Sequence, residues 1–190
     1  MNRILNALLT LLVACIASPA FSACSSAPSN WTEETGPNIV EFDDWVVATI
    51  VERNQCWLYS NPIESTMDNK DASEEFCRGT SRLVVNFFPG SNINGELSYD
   101  SGYHFDASEE VLLKTKNLTM NLPTREGGTA WTLGKKDDEA VINEFEVNKY
   151  VAVHGTASNS VTVDDIFSLS GFSKALNRAK VECRLIDLMS

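Results

Sequence analysis

Histidine is nearly absent from this chain: it occurs only as His104 and His154. Neither has a ligand partner at metal spacing, so a histidine-held metal centre is not expected. Both read as structural or surface residues. The phosphate-binding loop, the dinucleotide glycine fingerprint and HExxH are also missing, which removes the common nucleotide and zinc-hydrolase sites. No cofactor is expected. Basic residues are scarce, with 15 Lys and Arg against 26 Asp and Glu and a net charge of -11. Without a basic stripe, nucleic acid is not an expected partner, and an acidic surface does not seek anionic lipid. No CxxC pair is present, so the cysteines do not read as a zinc site. Past the first residues, no apolar run is long enough to span a membrane.

What the chain does have begins at its N-terminus. Arg3 precedes an apolar run from Ile4 to Ile16, broken only by Asn6 and Thr10, and Pro19 leads into small residues. Residues 1–23 therefore read as an export signal, with Ala20-Phe21-Ser22 before the cut. Leu12-Val13-Ala14-Cys15 and Phe21-Ser22-Ala23-Cys24 have the residue types of lipoprotein signals, which offers a lipid anchor at Cys15 or Cys24 as the alternative. Residues 24–38 are small, polar and proline-containing, a flexible lead-in carrying Trp31. Residues 39–190 suffice for one well-cored domain.

That domain reads as mainly β. Trp45–Val51 and Cys56–Ser60 form a hairpin, with Cys56, Leu58 and Ser60 on one face and Trp57 and Tyr59 on the other. Ser81–Phe88 is the strongest strand signal, ended by Pro89-Gly90. Glu96–Tyr99, Val111–Thr115, Leu118–Leu122 and Ala130–Thr132 are shorter strands, and Tyr150–Val153 pairs with Val161–Leu169 across a polar turn. Glu64–Thr80 is acidic and aperiodic, and reads as a loop. Asp137 or Asp138 is placed to cap a helix ending near Val147. After Gly171, the residues Phe172, Ala175, Leu176, Ala179, Cys183 and Ile186 recur at helical spacing. The expected fold is an antiparallel β-sandwich or open barrel with two short helices, the last one C-terminal.

Few residues suggest chemistry. Asp164 and Asp165, with His154, are the acid–base or cation-binding candidates, and Asp164-Asp165 reads more simply as a solvated edge. Asp68, Asp71, Glu74 and Glu75 lack the calcium-loop spacing. Ser168-Leu169-Ser170-Gly171 lacks the first glycine of a nucleophile elbow, and Ser170 reads as a helix cap. Of the four tryptophans, at least two are expected to pack a β core. In an exported chain Cys24, Cys56, Cys77 and Cys183 are disulfide candidates, and four cysteines allow three pairings.

Three segments together resemble the invasion-associated locus B family. They are Cys56-Trp57-Leu58-Tyr59-Ser60-x-Pro62, then Ala130-Trp131 before a short helix, then Val151-x-Val153-x-Gly155-Thr156-x-Ser158 with Phe167-Ser168-Leu169-Ser170-Gly171-Phe172-x-x-Ala175 and Cys183. The resemblance covers roughly residues 43–183. It departs where an Arg-Pro pair is expected and Asn86-Phe87-Phe88-Pro89 stands. The resemblance implies an exported, β-rich protein of the alphaproteobacterial envelope, linked in pathogens to host-cell entry. It implies a protein partner in the envelope or on a host cell and no catalytic residues. It also implies a Cys56–Cys183 disulfide, which leaves Cys24 and Cys77 as the second pair unless Cys24 carries lipid.

Overall fold

A computed structural model describes residues 38–53, 55–68, 76, 78–125 and 128–189. Alternating side chains set up the first sheet. In β2 (Trp45–Ile50) Trp45 and Val47 point inward, and in β3 (Gln55–Ser60) so do Cys56 and Leu58; all four are fully buried. β1 (Asn38–Phe42) folds back on β2 through a two-residue turn in which Asp43 has φ +52°. This strand was not anticipated, because its burial is too slight to show a periodicity. β5 (Arg82–Phe88) and β6 (Ile93–Asp100) come later in the chain, joined by a 3-10 turn at Pro89–Ser91.

Among the described residues twelve strands make two antiparallel sheets. The seven-stranded sheet runs β1-β2-β3-β5-β6-β10-β9, with β9 at Thr124–Arg125 and β10 at Thr129–Trp131. The five-stranded sheet runs β4-β12-β11-β7-β8, from β4 (Glu64–Asp68), β7 (Val111–Lys114), β8 (Thr119–Leu122), β11 (Tyr150–Thr156) and β12 (Thr162–Ser168). Among the described residues neither sheet closes on itself, so this is an open two-sheet structure and not a closed barrel.

The main core lies between the sheets and under the helices. Leu83, Val85, Leu97 and Tyr99 from one sheet meet Val111, Leu113, Val153 and Phe167 from the other. The Tyr99 and Phe167 rings stand edge-on, 6.2 Å apart. Beyond the smaller sheet, the same inner face is covered by α1 (Lys135–Val147) and by the 18-residue α2 (Phe172–Met189). Phe172 packs edge-on against Trp45 at 4.9 Å and Phe145 at 5.3 Å, and the Trp45 indole N–H donates to the Ser168 carbonyl at 2.9 Å. The apolar stripe foreseen for the last helix is buried at Phe172, Ala175, Leu176, Ala179 and Cys183.

Two local expectations are corrected. Glu64–Asp68 is not loop but strand β4, laddered onto β12 from Glu64↔Ile166 to Asp68↔Thr162. All five residues are exposed, so the segment lacks the alternation that marks a half-buried strand. The first helix starts at Lys135 on Gly134, with no side-chain cap. Asp138 lies inside it, and its buried carboxylate accepts the Leu97 N–H at 3.0 Å and the Thr132 hydroxyl. It ties the helix to β6 instead of capping it.

Candidate functional site

The three side chains proposed for chemistry are not brought together. Asp164 and Asp165 are neighbours in β12, so their side chains leave opposite faces of the sheet. β12 lies between β4 and β11 and is not an edge, which corrects the reading of this pair as edge solvation. Asp164 faces outward and is exposed; across the ladder its Oδ1 lies 2.8 Å from His154 Nδ1. That pair sits on an open sheet face among Thr66 and Leu112, its partners in register. His104 is exposed in a loop.

Asp165 faces inward and is fully buried. The Arg78 guanidinium meets its carboxylate with both terminal nitrogens, Nη1 at 2.9 Å from Oδ1 and Nη2 on Oδ2. Ser65 donates to Oδ1 at 2.7 Å; Ser81 and Tyr99 each donate to Oδ2 at 2.7 Å. Burial pushes the Asp165 carboxyl up, yet the hydrogen bonds from Arg78, Ser65, Ser81 and Tyr99 outweigh it and hold it below the usual carboxylate range. Burial likewise pushes the Tyr103 phenol up to about 12. Arg78 is further tied by Nε to the Ser101 carbonyl at 2.9 Å, and lies over the Tyr103 ring at 5.5 Å.

A carboxylate held by five donors has no lone pair left for a substrate, and a charge so paired is a poor general base. What the arrangement does is mechanical. Ser65 comes from β4, Asp165 from β12, Tyr99 from β6 and Ser81 from the entrance to β5, so one ionic node joins the two sheets. Sequence reasoning missed Arg78 as its partner, because 87 residues separate them.

The other candidates fare similarly. Ser170 donates its N–H to Ser168 Oγ at 3.2 Å, and its carbonyl receives the Asp44 N–H. Among the described residues no three His, Cys, Asp or Glu side chains are grouped to hold a metal ion. Of the acidic stretch, Asp68 lies on β4, while Asp71, Glu74 and Glu75 lie outside the described residues, as do the signal, Trp31, Cys24 and Cys77. A half-open cleft of about 280 Å³ is lined by Phe87, Pro89, Asn92, Ile93, Asn94, Lys180 and Cys183, without a nucleophile–base pair.

The residues that carry the family resemblance occupy positions of structural constraint. Cys56 and Cys183 form a disulfide with Cα atoms 6.1 Å apart, joining β3 to α2 across 127 residues. Gly171 has φ +88°, and a Cβ there would fall 1.9 Å from the Phe42 carbonyl oxygen. Gly155 passes so close to Tyr103 that a Cβ would fall 2.7 Å from its hydroxyl.

Fold and site together define an open two-sheet β protein whose last helix is pinned to the sheet by a disulfide. The same architecture is found in the crystal structure of invasion-associated protein B from Bartonella henselae. That likeness has a TM-score of 0.54 and 14% sequence identity, and it covers 77% of this chain and 99% of that one. No protein-family model matches the chain, and no curated protein matches it in sequence.

Proposed function

We propose that this protein is an exported, non-enzymatic member of the invasion-associated locus B family that acts by protein–protein contact in the cell envelope or at a host cell. The observation that carries the reading is the shared fold, which spans nearly the whole of the Bartonella henselae protein. The three resembling segments support it, since they fall on β3, on β10 with α1, and on β11–β12–α2, where the fold needs them. The Cys56–Cys183 disulfide suits an oxidising compartment. The opposed faces of Asp164 and Asp165, and the saturation of Asp165, favour binding over catalysis. No helix among the described residues is long and apolar enough to cross a membrane.

The test is capture of a partner from envelope fractions with the tagged chain under non-reducing conditions. A specific protein, displaced by excess untagged chain, is expected. Recovery of the chain in the cytoplasm with residues 1–23 retained would remove the export claim. A turnover activity abolished by both Asp164→Ala and His154→Ala would remove the binding-only claim.

A further inference from the structure

Among the described residues the two sheets end in β1, β9, β4 and β8. β1 lies against α2, β9 has only two residues, and β8 buries Leu122. β4 differs, because all five of its residues are exposed. Among the described residues β12 is its one ladder partner. Its two faces carry different chemistry. Directly paired residues share a face, so Thr66 points outward with Asp164, and Glu64 and Asp68 point outward with it. The same register turns Ser65 inward with Asp165 and Met67 inward with Val163. Ser65 reaches the Asp165 carboxylate, yet Met67 stays 55% exposed, and Ile63, just before the strand, 54%. The border of the sheet thus shows carboxylates on one side and apolar surface on the other. Neither Glu64 nor Asp68 has an ion pair with a described residue.

We propose that β4 takes an added strand from a protein partner, an extended segment that alternates basic with apolar side chains. This rests on the reading of the chain as a protein-binding module, and names the surface it uses and the chemistry it selects. Main-chain hydrogen bonds along the outer side of β4 hold such a segment, and alternate side chains give it specificity. On an added strand, a Lys or Arg opposite Glu64 and another opposite Asp68 stand about 5 Å away. The two carboxylates are four residues apart, about 13 Å along the strand, so one segment meets both only with its basic residues on one face. The residues between turn to the other face, where an apolar side chain covers Met67. A second copy of this chain does not fit. Two β4 strands paired antiparallel about Thr66 set Glu64 of each against Asp68 of the other, and like charges directly opposite destabilise a ladder. The net charge of -11 adds to that repulsion and draws a basic partner. The carboxylates that keep copies apart therefore select the partner.

The probe is a short labelled peptide that alternates Lys and Val, titrated with the chain from residue 24 onward and followed by fluorescence anisotropy. A peptide of the same composition, with its lysines in one block, is expected to bind about tenfold more weakly; equal affinity overturns the proposal. Glu64→Lys with Asp68→Lys is expected to weaken the alternating peptide by about tenfold or more. The thermal unfolding curve should stay in place, since both residues are exposed. Should that variant unfold, Glu64→Gln with Asp68→Asn carries the same expectation. Two further peptides carry N-methyl groups on alternate residues, one for each side of the strand. The one methylated towards β4 is expected to lose binding and the other to keep it. Binding kept by both shows attraction by charge without a ladder, and overturns the added strand. Hydrogen exchange should slow at Glu64–Asp68 when peptide is added; slowing confined to other strands overturns the site. A dimer in sedimentation that excludes the peptide assigns the edge to a second copy, and also overturns it. A partner from envelope fractions that binds Glu64→Lys with Asp68→Lys as well as the parent leaves the contact function standing and overturns β4 as its site.

Discussion

Replacing Arg78 by methionine removes the cation from the Asp165 node while keeping most of the stem volume. The carboxylate it leaves behind is fully buried, and the Arg78 side chain itself is only 12% exposed. Breaking a buried pair by deleting one partner typically costs about 3–5 kcal/mol, because the remaining charge is uncompensated. Three neutral donors stay, from Ser65, Ser81 and Tyr99, and they place the expected loss towards the lower figure. For a domain of this size about 3 kcal/mol lowers the melting temperature by roughly 6–12 °C. Urea denaturation of Arg78→Met under non-reducing conditions, followed by circular dichroism, measures it. The pH dependence supplies a second reading. The folded carboxyl of Asp165 is depressed below its unfolded value, so its contribution is fully present above the unfolded pKa of about 3.9 and is lost as pH falls through the folded value. Arg78→Met loses that depression, so its acid unfolding begins at a higher pH than in the parent. Adding Asp165→Asn to Arg78→Met should cost much less than Asp165→Asn costs alone, a coupling of about 1–3 kcal/mol. A loss under about 1 kcal/mol in the single variant, or additivity in the double, refutes the node as the tie between the sheets.

Three further outcomes are expected. Removing the disulfide with Cys56→Ala and Cys183→Ala together, in a loop of 127 residues, should cost roughly 3–5 kcal/mol in the same urea assay; a change below about 1 kcal/mol would show that α2 packing alone holds the helix. Gly171→Ala places a Cβ against the Phe42 carbonyl at a left-handed φ, and should destabilise by at least about 2 kcal/mol, measured by thermal unfolding. His154→Ala removes only a partly exposed pair with Asp164, so the melting curve should move by less than about 0.5 kcal/mol; a larger loss would mean that the pair supports something beyond its own surface.

Several strands are legible in the sequence alone, and the reason is local. In β3 the alternation of Cys56, Leu58 and Ser60 with Trp57 and Tyr59 is a period of two, written within five residues. The α2 stripe is a period of 3.6 written within twelve. β1 and β4 were not legible because their side chains stay largely in water, and what makes them strands is a ladder to a distant partner. Asp138 was misread because a carboxylate in a first helical turn fits a cap equally well until β6 is known to lie beside it.

By itself, the sequence determined the mainly β class, the positions of its two helices, and a family resemblance whose segments later proved to be fold-bearing residues. These depend on short-range periodicity, turn residues and motif order. Only the tertiary structure decided that Asp164 and Asp165 part company, one solvated beside His154 and one buried with Arg78. Adjacent residues in a strand must face opposite ways, but which face becomes the interior depends on what packs against it. That was settled by β6, the Arg78 segment and β4, which lie far from Asp165 in the chain.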